Sequence, residues 1–377
     1  MIYDVVIVGG GPGGSTLARR LNSKYKVLII DKRNLDEYSN YDRNKCCGGL
    51  LAPDAQKVLS QFSLGLPKEI MVDPQMFSVK TIDLDNDIEK YYQRHYINVD
   101  RELFDRWLFS LIPPHVDKMM STVFKGYEEI NDCIEVDIIN NGKPQKVFTK
   151  LLIGGDGSTS KVRRLAFSEK KMENTYASIQ QWYKTSEQLP HYISVFDKEV
   201  TDFYSWVIQK DNYAIIGSAI KDYSNAKEKF DILIKKLKAE GYELGECVKK
   251  EGTWIKRPRT IGQIKLYKGN IALVGEAGGF ISPSSAEGIS YALRSGDILA
   301  NCINHSIKGY GKIYKKKSLG LKINVTVKSL KAILMYNTFI RKLIMKTGVL
   351  SMKVEKKNSY KKSSKSWALN RQLNINN

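Results

Sequence analysis

An α/β protein built on a parallel sheet, with a β-rich insertion and a basic helical carboxy terminus, is the fold this sequence predicts. Three observations predict it. A buried-type strand, Y-D-V-V-I-V (3–8), runs into the glycine-rich stretch I-V-G-G-G-P-G-G-S-T-L-A (7–18), and a second apolar strand, K-V-L-I-I-D (26–31), follows. Two later apolar runs, V-F-T-K-L-L-I-G-G-D-G (147–157) and N-I-A-L-V-G-E-A-G-G-F (270–280), also end on glycines. Between them, residues 175–220 read as sheet.

The first unit is a strand, a turn into a helix over 11–21, and a strand closing on an acid, the βαβ pattern of parallel sheets. Gly9, Gly11 and Gly14 fall at G-x-G-x-x-G, with Pro12, Gly13 and Ser15 filling the loop. In such a loop the first glycine allows the tight turn and the second lets backbone approach a pyrophosphate. The third lets the helix sit close on the strand. The helix amino terminus offers free N–H groups and a partial positive charge to phosphates. Asp31 ends the second strand, where a carboxylate accepts hydrogen bonds from an adenosine ribose. A dinucleotide is therefore expected; the alternative is a purely structural glycine turn.

Further along come a glycine loop and short helix (45–62), then alternating strands and turns. R-E-L-F-D-R-W-L-F-S-L-I (101–112) is an amphipathic helix ended by Pro113 and Pro114. I-Q-Q-W-Y and F-Y-S-W-V-I are strands of the 175–220 region, and a helix follows at 225–240. The expected division is a nucleotide-binding domain from 1–165 and 259–305, an inserted β-sheet substrate domain at 166–258, and a basic helical region at 306–377. The last dozen residues read as frayed.

Bulk properties bound the rest. Of 377 residues 42% are hydrophobic and 10% aromatic, enough for a substantial core. No apolar run approaches the ~20 residues of a membrane span, and no signal-peptide core precedes the first strand, so a cytoplasmic location is expected. The five cysteines, Cys46, Cys47, Cys133, Cys247 and Cys302, indicate neither a disulfide framework nor a zinc site. His95, His115, His191 and His305 show no metal spacing and read as structural or exposed.

The formal net charge of +20 is concentrated at one end. From 306 to 377 there are 18 Lys and Arg against one acid, Glu355, which leaves a net of only +3 for residues 1–305. Within that region V-K-S-L-K-A-I-L-M-Y-N-T-F-I-R-K-L-I-M-K (327–346) interleaves basic and apolar residues at helical spacing. Such a helix either packs its apolar face on the body or lies on an anionic membrane surface, making the protein peripheral at the membrane's inner face. Nucleic acid is disfavoured, because no recognised binding motif accompanies the charge. No obligate protein partner is evident.

The later glycine stretches select the cofactor. G-D-G-S-T-S-K-V-R-R (155–164) resembles the Asp-Gly motif of the flavoprotein hydroxylases, and N-I-A-L-V-G-E-A-G-G-F-I-S-P (270–283) resembles their second flavin motif. Glu276 stands there in place of the usual Asp. A-E-G-I-S-Y-A-L-R-S-G (286–296) begins a helix whose amino terminus would lie beside the flavin pyrimidine. Three motifs in this order imply FAD. No second G-x-G-x-x-G occurs, so NAD(P)H would bind transiently, or electrons would arrive from another protein.

The order of motifs resembles the para-hydroxybenzoate hydroxylase-like flavoproteins, and within them the geranylgeranyl reductase group. K-C-C-G-G (45–49) is similar to that group's Cys-Gly loop, and Y-S-W-V-I-Q-K (204–210) to its Tyr-x-Trp-x-Phe-Pro strand. C-G-G-L-L-A-P-D-A-Q (47–56), F-S-V-K-T (77–81), Y-Q-R-H-Y-I-N (92–98), I-Q-Q-W (179–182) and G-F-I-S (279–282) resemble the CbrA-type subgroup, over nearly the whole chain. Ile208 and Gln209 depart from the Phe-Pro of the reductases. Tyr204 and Gln209 depart from the Trp-x-Trp-x-Ile-Pro of flavin halogenases, which disfavours halogenation.

The resemblance implies that Cys47 and Trp206 lie near the flavin and the substrate cavity. Cys47 is either a redox-active thiol or proton donor, or a small residue fitting a tight loop, with Cys46 facing away. Trp206 is either cavity wall or core. Arg101, in N-V-D-R-E-L-F-D (98–105), orders the flavin-side loop or makes a helix-start salt bridge. The expected cofactor-binding set also takes in Lys32, Lys45, Gly48, Gly49, Val123, Asp156, Gly157, Ser158, Glu276, Ala277, Gly278, Gly279, Gly288 and Ile289. The function expected is an FAD-dependent oxidoreductase that adds hydride to a C=C bond of a small hydrophobic, prenyl- or lipid-like substrate. The alternatives are a flavin monooxygenase acting on an aromatic or lipid substrate, and an FAD-loaded regulatory protein without turnover.

Overall fold

The computed structural model describes residues 2–36, 46–169, 174–221, 223–348 and Lys353. Ile2–Val8 lies between Val27–Ile30 and Lys143–Gly154, with Val116–Met119 beyond the former and Ile271–Leu273 beyond the latter. All these pairings are parallel. Val5, Val6, Ile7 and all of Val27–Ile30 are buried, because both faces of the sheet are covered. Helices Pro12–Arg20 and Ile289–His305 pack on one face against Val5, Ile7, Ile29 and Ile153. The other face meets Thr122–Ile130, Cys133–Asn140 and the helix Lys161–Phe167.

A second sheet of eight strands carries the substrate side. Its order is Cys247–Lys256, Thr175–Lys184, Tyr213–Ile220, Ser205–Lys210, His191–Phe196, Met76–Asp83, Ile88–Asn98 and Leu50–Leu51. The strands expected at 179–183 and 203–208 belong to it. The sheet is not confined to 166–258, however, since three of its strands come from 50–98. Met76–Asp83 joins it through a parallel pairing with His191–Phe196, Ser78 opposite His191 and Asp83 opposite Phe196. Partners more than a hundred residues apart leave no local trace in the sequence. Alternation along Ser205–Lys210 sends Val207 toward the helix Ala226–Ala239, with Phe230, Leu233 and Leu237, and sends Trp206 and Ile208 to the opposite, aromatic face.

The helix expected at 327–346 is two helices, Leu319–Tyr336 and Thr338–Thr347. Asn337 leaves helical geometry and its side chain accepts from Ile340 N at 3.0 Å, so it starts the second helix. Arg341 ties that helix to the β-rich sheet. Its guanidinium donates to both carboxylate oxygens of Asp83, at 2.7 and 3.0 Å, and to Asp85 at 2.7 Å. Arg341 and Asp83 are buried. The reading of the last dozen residues as frayed lies outside the described residues.

Truncating one member of a buried ion pair strands the other without solvent, typically at about 3–5 kcal/mol. Arg341→Ala is therefore expected to lower the thermal midpoint and open the 319–347 helices to protease. Arg341→Lys, which keeps charge but not the fork, falls between. Unchanged melting and cleavage in Arg341→Ala would show the helices to be docked by other contacts.

Candidate functional site

The site grows from the turn after Ile2–Val8. Gly9 has φ +106°, and a Cβ there would meet the Gly155 carbonyl oxygen at 2.5 Å. A Cβ on Gly14 would lie 1.9 Å from the Gly9 carbonyl oxygen, so this glycine is fixed by contact between turn and helix. Gly11 differs, because nothing lies within 4 Å of the Cβ it lacks. Its bareness serves no packing need of the chain, and it faces a cavity that Gly9, Pro12 and Gly13 also line. Gly11 is the N-cap of Pro12–Arg20, with no side-chain cap and no acid in the first turn. The N–H end of the helix is left to whatever enters. The residues present therefore fit a diphosphate.

Asp31 secures this turn from the neighbouring strand, its Oδ2 accepting from Gly10 N at 2.7 Å. Its Oδ1 accepts from the backbone and Nε of Arg33 at 2.8 and 3.3 Å. Arg33 also donates to Asp105 at 3.0 Å, and Arg101 donates to the other oxygen of Asp105 at 2.6 Å. Burial opposes the Arg33 charge, but Asp105 and Asp31 overcome it and hold Arg33 protonated above its ordinary range. The buried Arg101 lines the cavity, its Nε without a partner among the described residues. It thus makes the expected helix-start ion pair. Asp31, Lys32 and Arg33 line the same end, as does the half-exposed Val123.

Asp156, Gly157 and Ser158 form the next stretch of wall. Asp156 also works inward, accepting from Ser160 Oγ at 2.5 Å and from Lys161 N at 2.7 Å at the start of Lys161–Phe167. Burial raises its carboxyl above the ordinary value, against those hydrogen bonds. Glu276, Gly288 and Ile289 continue the wall. Ala277, Gly278 and Gly279 lie off it. Ala277 is core and its carbonyl accepts from Arg163 at 3.2 Å, while Gly279 has φ +87° and closes a short turn. Gly14 and Ser15 likewise stand behind the turn, with Ser15 Oγ donating to the Gly10 carbonyl at 2.7 Å. Lys45 lies outside the described residues.

The Cys-Gly loop lines the same cavity. Cys47 lines it, and so does Cys46, which does not face away as expected. Burial pushes the Cys46 thiol up to about 12, so it stays protonated. The loop is held close to the β-rich sheet: a Cβ on Gly49 would meet the Val99 carbonyl at 2.3 Å and Lys210 Nζ at 2.7 Å. Lys210 is buried, which lowers its ammonium to about 8, and it donates to Asn98 Oδ1 and the Val99 carbonyl at 2.7 Å each. Ile208 lines the cavity beside Gly48. Gln209 does not; it accepts from Leu189 N at 2.5 Å and donates to the Glu187 and Asp211 carbonyls. Of the two departures from Phe-Pro, only Ile208 reshapes the cavity.

Trp206 lies flat over Gly217, where a Cβ would come within 2.2 Å of the indole. It is buried, lines the cavity, and its Nε1 has no partner among the described residues. Around it stand Tyr92, Tyr96, Tyr192, Tyr204 and Tyr336. Tyr204 and Tyr336 donate to the Ser285 and Ser284 carbonyls at 2.8 Å each and hold that loop against the chamber. Glu287, in the same loop, accepts from Ser290 N and Oγ at 2.7 Å each and lines the cavity. Burial raises its carboxyl above the ordinary range.

One cavity of about 1280 Å³ joins the glycine turn, the cysteine loop and the aromatic chamber. That exceeds the ~300–1,000 Å³ of ordinary small-molecule sites and leaves room for a dinucleotide and a second molecule. Sequence reasoning missed Arg33, Lys210, Glu287 and the tyrosines. Glu287 sits inside the quoted A-E-G-I-S-Y, Tyr92 and Tyr96 inside Y-Q-R-H-Y-I-N, and Tyr204 and Lys210 inside Y-S-W-V-I-Q-K, but nothing local shows that these stretches meet at one cavity. Among the described residues no His, Cys, Asp and Glu cluster suits a metal ion. His191 is spent on Ser78, 2.5 Å away.

Residues 7–35 match the NAD(P)-binding Rossmann-like domain family. Protein CbrA of Escherichia coli O6:H1 is 37% identical over 347 residues, covering 92% of this chain and 94% of that protein. A geranylgeranyl bacteriochlorophyll reductase-like protein from Thermoplasma acidophilum superposes with TM-score 0.76 at 20% identity, over 93% of this chain and 92% of that one. PqsL of Pseudomonas aeruginosa, described as a probable FAD-dependent monooxygenase, gives TM-score 0.67 at 15% identity, over 92% of this chain and 100% of its own. The fold is that of the flavoprotein oxidoreductases and monooxygenases.

Two alanine variants separate ligand glycine from structural glycine. Gly11→Ala is expected to keep the parent's circular dichroism and melting but to lose roughly tenfold or more in FAD affinity by absorbance titration. Gly14→Ala is expected to lose the folded turn itself. Equal FAD affinity in Gly11→Ala and parent would place the diphosphate elsewhere.

Proposed function

This chain belongs to the CbrA family, and from that premise we propose that it is an FAD-dependent oxidoreductase reducing a carbon–carbon double bond of an apolar substrate. The observation that carries the reading is the single cavity that joins a bare diphosphate cradle to a tyrosine- and tryptophan-walled chamber and that Cys47 also lines. Bound flavin supplies the hydride, and its own electrons come from NAD(P)H or an electron-donating protein.

The chain's part is binding, orientation and proton supply. The Gly9–Gly13 turn and its helix hold the diphosphate, while Asp31 and Arg33 fix the nucleoside end. Asp156 and Glu276, on the same cavity wall, would border the cofactor. Trp206 and the tyrosines exclude water from the chamber and confine an apolar body. Adding hydride to one carbon of a double bond leaves the other needing a proton. Of the proton-bearing groups that line the cavity, Cys47 or Glu287 is assigned that part. The raised Glu287 carboxyl keeps its proton to higher pH than an ordinary glutamic acid does.

The aromatic wall of the chamber, Trp206 with its tyrosines, also suits a second reading, a monooxygenase acting on an aromatic substrate. Mixing reduced protein anaerobically with an unsaturated prenyl lipid, and separately with oxygen, distinguishes them. Reoxidation by the lipid, with a saturated product by mass spectrometry, supports the reductase. No reoxidation by unsaturated lipids, with an absorbing intermediate in oxygen, would replace it by the monooxygenase. Protein that takes up FAD but turns over neither way would be a flavin-loaded regulatory protein.

With Glu287 as the acid, lipid-dependent reoxidation should fall as pH rises through its raised pKa. Glu287→Gln is expected to be slower by about a hundredfold and to lose that alkaline limb. If the limb survives in Glu287→Gln and vanishes in Cys47→Ser, the proton comes from the thiol.

A further inference from the structure

The carboxy-terminal helices carry two apolar faces, and the body covers only one. Leu321, Val325 and Ala332 are buried against the protein. Leu319, Ile323, Val327, Leu330, Ile333 and Leu334 are exposed by 40–68% and recur every three or four residues, so they share the opposite side of Leu319–Tyr336. Phe339, 77% exposed, and Leu343 extend the apolar surface onto Thr338–Thr347. Exposed apolar patches of this kind mark interaction sites. Val327, Leu330 and Leu334 also line the cavity, so the far end of the chamber opens beside this face.

Charge selects the occupant. Residues 306–348 contain eleven Lys and Arg and no acid. Lys312, Lys315, Lys316, Lys317, Lys342 and Lys346 are exposed and belong to no ion pair among the described residues. Lys328 and Lys331 stand at the mouth. Burial lowers the Lys331 ammonium, and Arg94 and Lys328 lower it further, so cations crowd there. A second copy of this chain would bring the same positive face against itself. A lipid surface bearing anionic headgroups neutralises the lysines and receives the leucines together. Among the described residues no helix is long and apolar enough to cross a membrane, so the contact is interfacial.

We infer that the exposed face of residues 319–347 docks on an anionic lipid layer and sets the chamber mouth at its surface. There an apolar substrate passes from lipid to cavity without crossing water. The route, though not the docking, rests on the proposed reductase function.

Flotation of the full-length, FAD-loaded protein with vesicles of phosphatidylcholine, alone or mixed with phosphatidylglycerol, tests this. The parent is expected to float with the mixed vesicles and to be released by salt. Ile323→Asp/Phe339→Asp and Lys342→Glu/Lys346→Glu, none of which lines the cavity, are each expected to lower partition about tenfold or more with unchanged flavin absorbance. No flotation of the parent, or equal flotation of parent and variants, overturns the inference. So does a concentration-dependent dimer in sedimentation that Ile323→Asp/Phe339→Asp abolishes while vesicles bind neither protein. Colourless protein that still floats would instead sink the oxidoreductase reading and leave the docking standing.

Discussion

Main chain lying directly on main chain is the constraint from which this structure follows. The Gly9 carbonyl occupies the space a side chain on Gly14 would need, and Gly155 closes on Gly9 from the neighbouring strand. From the other side, a Cβ on Gly296 would come within 2.5 Å of the Gly13 carbonyl, so Ile289–His305 also seats on the turn. Three segments distant in sequence thus converge on one bend. Their approach fixes the direction of the Pro12–Arg20 helix and leaves its N–H end as the open side.

What converges there also sets the cavity's course. The Asp156 stretch and the Glu276–Gly288 loop descend from strands adjoining the turn, so they line the path in order. The β-rich sheet supplies the far wall because alternation puts Trp206 and Ile208 on the face turned away from Ala226–Ala239. The cysteine loop joins the two halves. It fits only because Gly49 lacks a side chain beside Lys210 and the Val99 carbonyl.

Several polar groups along this path are left unspent. Arg101 Nε and Trp206 Nε1 are buried without partners among the described residues. Each such donor costs about 1–3 kcal/mol in a closed core. Both residues belong to the cavity wall. The rest of the Arg101 guanidinium is tied into the chain Asp31–Arg33–Asp105–Arg101.

The sequence by itself determined the glycine turn, the strands around it, the acid that closes the second strand and the location of the basic excess. These are local matters: a Cβ either fits or clashes within a few residues, and charge adds up along the chain. Tertiary structure decided the rest. The parallel pairing of Met76–Asp83 with His191–Phe196 moved three strands into the β-rich sheet. Cys46 came to the cavity beside Cys47, Glu287 gained a dry environment, and Ala277 went to the core. Which stripe of 319–336 the body covers was open as well, since the sequence makes both sides apolar. Contact between distant segments, through burial and desolvation, set each of these outcomes, and no window along the chain contains it.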